Sequence, residues 1–375
     1  MSRLLLAIST LEFIFIANAF PQASTSVAYK YAPVVYPGAI STSANGINNN
    51  NVIVGSYLDP MSSQHGFVYR NGKYTAVNFP GATATEVLGI NDDGDIVGTY
   101  QVSGRLNFHG FLRHNGEFKR IDVPAATLGT VAAGINRDGT IVGTYDDTQG
   151  FVYSAGTYRT WNAPQQPGEP TQTQLNGINN LGWIAGQVFT GGNWRGFWLI
   201  NDDLDFLEPL FASDGQVTGI NGRGDIVGCH DAAAGFISFK VEDAESGEAT
   251  EKFPRQQSLA SCASAINFAR VVVGNYFSVS QPNGFLAVPV LTLRVADPAN
   301  HASLANPVHL HAAASGIHPI SQIQVWVNSK KVMQANESTL DRTISLPVGH
   351  NERLVIQAVD SKGVTVKVVE TITVH

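Results

Sequence analysis

Gly-Ile-Asn occurs at Gly46, Gly89, Gly134, Gly177 and Gly219, and Ala265-Ile266-Asn267 supplies a sixth, degenerate copy; the spacings are 43, 45, 43, 42 and 46 residues. A period near 44 residues confines a chain to a repeat architecture. Nine residues after each copy stands another glycine, Gly55, Gly98, Gly143, Gly186, Gly228 and Gly274, always behind two apolar residues such as Ile53-Val54 or Ile96-Val97. A Gly-Phe pair follows at Gly66, Gly110, Gly150, Gly196, Gly235 and Gly284, after a link of variable length. Each period closes on an aromatic or apolar run ending in proline, at Pro37, Pro80, Pro124, Pro164, Pro209 and Pro254.

Each period holds four short β-like runs separated by turn residues, as in Val87 to Asn91, Ile96 to Tyr100, Gly110 to Arg113 and Phe118 to Val123. Four strands per period fit a propeller blade better than a solenoid coil. The fixed offset puts Gly94, Gly139, Gly182 and Gly224 in a tight turn at a position of positive φ; Asn51 tolerates that conformation and Arg270 breaks the rule. The other repeated glycines then mark close backbone approach where inner strands crowd an axis. Counting strands closes the ring: the run around Tyr31 to Pro37 precedes the first Gly-Ile-Asn, and no such run follows Phe285 to Val288. The N-terminal run therefore completes the last blade and removes the exposed edges of a linear array.

At these residues the chain resembles the HAF-type probable extracellular repeats, named for a His-Ala-Phe motif. The matching triplets are His65-Gly66-Phe67 and His109-Gly110-Phe111, while Gln149, Arg195, Ala234 and Asn283 replace the histidine elsewhere. The resemblance covers Tyr29 to Val288, implies an extracellular or surface location, and supplies no established reaction. Replacement of the histidine in four copies means that it is not carried over as an essential residue.

After Val288 the period stops. Alternating runs such as Leu291 to Val295, Val308 to Ala312, Ile323 to Val327, Arg353 to Val359 and Val366 to Val374 make about seven short strands, which suits a β-sandwich. With Asp297-Pro298-Ala299-Asn300, Val325-Trp326-Val327-Asn328 and Val359-Asp360-Ser361-Lys362-Gly363 in order, the segment looks like a bacterial immunoglobulin-like domain.

Arg3, the apolar stretch Leu4 to Ile16 and Ala17-Asn18-Ala19 have the pattern of a secretory signal cleaved after Ala19, although Glu12 within the stretch leaves an uncleaved anchor or a misplaced start as alternatives. Apolar residues make up 43% of the 375 and charged ones only 14%, with a net charge of -7 and no basic run, which excludes a nucleic-acid footprint and a polybasic membrane patch. Cys229 and Cys262 fall near the ends of inner strands in adjacent repeats, and either a disulfide or two buried thiols fits.

Chemistry is sparse. Asn91-Asp92-Asp93-Gly94-Asp95 suggests calcium, but it lacks the spaced glutamate of an EF-hand and reads better as a hairpin turn. His309 and His311 share a strand face with no third metal ligand nearby, and Leu310 between them faces the core. Tyr57, Tyr100 and Tyr145 recur two residues after the second-strand glycine, as packing residues or as an aromatic ring around one channel mouth. No nucleophile elbow, zinc-protease helix or phosphate loop is present. The links between second and third runs carry residues the repeat does not require, Arg105 and Asn107, and Trp194 with Arg195; exposed on loops, these suit a sugar ring or a peptide, and Trp194 equally suits covering a blade edge.

The expectation is an all-β chain: a signal peptide at 1–19, a six-bladed β-propeller at 20–289 and an immunoglobulin-like β-sandwich at 290–375. It is read as a secreted, periplasmic or cell-surface monomer without catalytic residues, metal or cofactor. It binds a glycan or an extracellular protein through loops at one end of the ring. The alternative is a carbohydrate-active hydrolase or lyase on the same scaffold.

Overall fold

The computed structural model describes residues 24–103, 107–164, 172–200, 203–206, 215–232, 235–241, 249–253, 260–277, 282–346 and 348–375, so the expected signal segment lies outside the described residues. Every regular element among them is a β-strand. Ser41–Ile47, Ile53–Leu58, Gln64–Arg70 and Lys73–Val77 form the first antiparallel four-stranded sheet, and one such sheet follows per period through the fifth, Gly215–Ile220 to Ala249–Phe253. In the sixth, Ala260–Ile266, Val272–Phe277 and Pro282–Asp297 pair in order, and the N-terminal strand Ser24–Val34 supplies the fourth place beside Pro282–Asp297.

Apolar cores lie between consecutive sheets. Val52 and Val54 of the first period pack with Val87, Ile90 and Ile96 of the second, and Ile47, Ile53 and Phe67 of the first pack with Val271 and Val273 of the sixth. The last and first sheets therefore share a core like any other neighbours, and the array is a closed, propeller-like ring. The N-terminal strand closes it in the expected way, with Pro33 opposite Phe285 and Tyr31 opposite Ala287. Tyr36 and Pro37 fall beyond its end.

The repeated residues each have a steric or hydrogen-bonding cause. A Cβ on Gly98 would stand 2.0 Å from the Glu86 carbonyl oxygen and 3.0 Å from the Phe111 ring. The glycine and the later Gly-Phe pair are thus one device: the phenylalanine lies opposite the second-strand glycine and fills the space its missing side chain leaves. Phe67, Phe111, Phe151 and Phe197 are completely buried there, so truncating any one costs about 3–5 kcal/mol. The fifth sheet corrects the sequence reading, because Phe239, not Phe236 of the Gly235-Phe236 pair, stands opposite Gly228. Close approach at the axis is also observed: a Cβ on Gly134 would lie 3.2 Å from the Cα of Gly177 in the next sheet.

The tight turn takes positive φ in all six copies, including Arg270 at 63°. Arg270 does not break the rule but tolerates it, because its guanidinium grips Asp225 of the fifth sheet at 2.9 and 3.0 Å. Cys229 and Cys262 form a disulfide across the same pair of sheets.

Residues 289 and 290 belong to one continuous strand. Pro282–Asp297 runs through the sixth sheet of the ring and onward beside Val308–Gly316, and Ser24–Val34 accompanies it from Gly284 to Val295. The C-terminal part is a two-sheet sandwich; Leu291, Leu293, Val308 and Leu310 of one sheet pack against Ile323, Val325, Leu354 and Ile356 of the other. Leu310 is fully buried, as expected, and His309 meets Asp341 at 2.7 Å on the outer face.

Candidate functional site

The Gly-Ile-Asn copies converge on one end of the ring. In each, the asparagine side chain folds its own turn, and in five of the six it also grips the next sheet. Asn48 Oδ1 accepts the amides of Asn50 and Val52, the capping pattern that makes asparagine a turn residue. Its Nδ2 donates to the Asn91 carbonyl at 2.9 Å. The same bond runs from Asn91 to Asn136, from Asn179 to Asn221, from Asn221 to Asn267 and, joining the last repeat to the first, from Asn267 to Asn48. Outside these bonds, in three of the turns, the residue after the motif asparagine donates its amide to the equivalent side chain of the next turn. Phe268 donates to Asn49, Asn49 to Asp92, and Arg137 to Asn180. Asn45, Asn176 and Thr218, each at a bulge in its first strand, add bonds to the following sheet lower down.

Inside these bonds is a cavity of about 280 Å³. Its floor is the six motif isoleucines, which also border a narrower space of about 80 Å³ farther down the channel. Ile47, Ile90, Ile135, Ile220 and Ile266 keep only 5–8% of their surface exposed. The rim is uneven. Asn49, Asp92, Arg137 and Asn180 form a polar arc, whereas Leu181 and Phe268, 59% and 48% exposed, flank Gly222 on the other side. The Arg223 guanidinium lies 4.2 Å over the Phe268 ring. Burial pushes the Asp92 carboxyl up, but two bonds from Asn49, one from Asn180 and the nearby Arg137 charge outweigh it and hold the group below the ordinary carboxylate value. Asn91 to Asp95 is accordingly a hairpin turn, with Asp95 accepting from His114. Beside the mouth, a cleft of about 310 Å³ between the third and fourth sheets shares Asn180 and Leu181 with it and adds Asp138 and Arg159.

The residues singled out from sequence lie elsewhere, at the opposite end, where second strands finish and third strands begin. Tyr57 stacks on Tyr36 and Tyr100 on Phe79, each pair 3.6 Å between ring centroids. Burial pushes both phenols above their ordinary value. The Tyr145 hydroxyl bonds Thr160. All three therefore pack within the ring. The histidines of the His-Gly-Phe triplets serve the same end, His65 bridging Asp59 and Asn78 and His109 meeting Asp122 at 2.9 Å. Asn107 donates to the Thr127 carbonyl, and Arg105 lies outside the described residues.

Trp194 and Arg195 are not on a loop. The strand begins at Asn193, one residue before the indole, because Gly191 and Gly192 both take positive φ and turn the chain in two residues. Trp194 pairs with Phe189 and meets its ring edge-on at 5.4 Å, and the Arg195 guanidinium lies 4.6 Å over Phe206. These contacts make both residues part of the fourth sheet's surface. Trp194→Ala should lower stability by about 1 kcal/mol, or roughly 2–4 °C in melting temperature. A melting curve and a binding isotherm on that one variant check it; the affinity of the remaining folded protein should be unchanged.

Sequence reasoning missed the mouth. The available signal was the column immediately after each motif, Asn49, Asp92, Arg137, Asn180, Gly222 and Phe268, which changes chemical type although the asparagine before it is the same in all six copies.

No protein-family model and no curated protein matches the sequence. Among solved structures the chain is similar to TolB from Acinetobacter baumannii, at 14% identity and a TM-score of 0.43, covering 58% of this chain and 54% of that one. It thus spans about half the length of TolB. It is also similar to the BP39L lectin from Burkholderia pseudomallei, at 12% identity and a TM-score of 0.36, over 89% of this chain and 96% of the lectin.

Proposed function

We propose that the protein is a secreted or cell-surface binding module. In this reading it is a six-bladed propeller of the HAF repeat type joined to an immunoglobulin-like sandwich, and it holds a glycan or an extracellular protein at one end of the ring without transforming it. The observation that carries this reading is the mouth. Six turns built on the same motif asparagine differ in the residues that follow it and form the rim, which is the pattern of a rigid scaffold with its recognition surface on the connections. The disulfide favours an oxidising compartment. No helix among the described residues is long and apolar enough to cross a membrane.

The chain from residue 20 onward should be tested on arrayed polysaccharides and arrayed surface-protein fragments, with released products assayed in parallel. Binding without turnover is the expected result. Phe268→Ala should weaken it by about 1–3 kcal/mol, as for a hot-spot aromatic, and should lower stability by no more than about 1 kcal/mol, because the ring is half exposed and its cation–π contact is with the surface residue Arg223. Binding that survives Phe268→Ala would move the site away from the mouth, and turnover abolished by one acidic substitution would replace binding by catalysis.

A further inference from the structure

We infer that the mouth accepts one bulky apolar side chain of an extended protein segment, in preference to a sugar ring. This rests on the binding reading above and narrows its ligand.

Hydrogen-bonding capacity decides between the two. The polar side chains that line the cavity are already engaged within the protein, and the Arg137 guanidinium stands outside the lining, 61% exposed. Each motif asparagine that lines it folds a turn and grips the next sheet. Asp92 accepts from both the backbone and the side chain of Asn49 and from Asn180, two turns away. The oxygens of Asn49 and Asn180 are taken by the amides of Phe268 and Arg137. What is left to a visitor is mainly apolar: the isoleucine floor, Leu181 and Phe268.

A sugar seated here would bring hydroxyls over the isoleucine floor, where they lose water and gain few partners, and that loss opposes binding. A leucine, methionine or phenylalanine side chain loses nothing of the kind and gains contact on the floor and on two flanking apolar groups. The rest of a peptide also has a path. The cleft between the third and fourth sheets continues from the mouth past Leu181 and presents Asp138 and Arg159, one charge of each sign, to a passing chain. An extended segment can thus anchor one residue in the mouth and lay its neighbours across the cleft.

Isoleucine δ1-methyl NMR on the whole mature chain tests this, with N-acetyl-leucinamide and methyl α-glucoside as probes. The amide should shift the mouth isoleucines with a dissociation constant on the order of 1 mM, the affinity its dozen or so heavy atoms support, and the glucoside should not. Phe268→Asp and Leu181→Asp, both at exposed positions, should each weaken the amide at least tenfold while leaving the remaining methyl spectrum intact. If the glucoside shifts these methyls and the amide does not, the inference is overturned while the binding function stands. If neither probe shifts them, the inference fails, and the arrays described above separately decide whether the protein binds at all. Amide shifts that persist undiminished in both aspartate variants also overturn it.

Discussion

Removing residues 20–40 should leave a protein that aggregates or unfolds without a cooperative transition. The strand lost, Ser24–Val34, pairs along its whole length with Pro282–Asp297 and in doing so belongs to two bodies at once. Tyr29 to Val34 occupy the fourth place in the sixth sheet, and Ser24 to Ala28 extend the first sheet of the sandwich. Val34, only 2% exposed, sits in the core shared by the first and sixth sheets, and Val27, 3% exposed, lies on the part beside the sandwich. Deletion strips a row of backbone hydrogen bonds from both bodies and uncovers Pro282–Asp297 as an edge, the template on which chains pair wrongly. Against a total stability of about 5–15 kcal/mol for a domain, losing one strand from each of two cores is decisive. Calorimetry and size-exclusion chromatography of the truncated chain provide the check, and an unchanged melting curve would refute the closure. A synthetic peptide of residues 24–34 should restore cooperative melting in trans, because the vacated groove is a strand-addition site.

The closure was legible because it is a counting problem. Six Gly-Phe runs and six proline-terminated runs match only if the first of the latter joins the last of the former, and strand pairing has no other economical solution. The turn glycines were legible for a similar reason, since a fixed offset with glycine in four copies and asparagine in a fifth leaves positive φ as the common property. What escaped is what depends on partners distant in sequence. The motif asparagine looks like a turn former, and nothing local announces that its other end bonds a residue 43 or 219 positions away. In the fifth sheet two phenylalanines stand three residues apart, and it is the pairing register that sets Phe239 opposite Gly228. Trp194 was misplaced although the signal was present: Gly191-Gly192 is a two-residue hairpin turn in its own right, so the strand starts directly after it. The disulfide stayed undecided because two cysteines in adjacent repeats fit a bond or two thiols equally well until the distance between their strands is known.

Arg270→Gly should destabilise the ring even though it installs the residue that four other repeats use. On backbone grounds alone the change is favourable, because φ of 63° is costly for arginine and free for glycine. The guanidinium, however, is 17% exposed and holds both oxygens of Asp225, whose side chain is completely buried. Removing the guanidinium takes one member from a buried pair and leaves the Asp225 carboxylate to its remaining bonds, such as that from Asn221 Nδ2, at a cost of about 3–5 kcal/mol, which exceeds any relief in the turn. The third and fourth repeats supply the control, since Thr140 and Gly182 fill the corresponding places there without an ion pair. Arg270→Gly combined with Asp225→Thr puts that arrangement into the two turns, and it should recover most of the loss. Denaturant unfolding of the wild type, both single variants and the double variant measures the coupling directly. An Arg270→Gly variant as stable as the wild type would show that the pair contributes nothing and that the strained turn had no compensation to lose. A double variant no better than the single would show that the loss arises outside the Asp225 carboxylate. The expected coupling would instead establish that the sixth repeat departed from glycine because its arginine clamps the fifth sheet, beside the place where Cys229 and Cys262 join the same two sheets covalently.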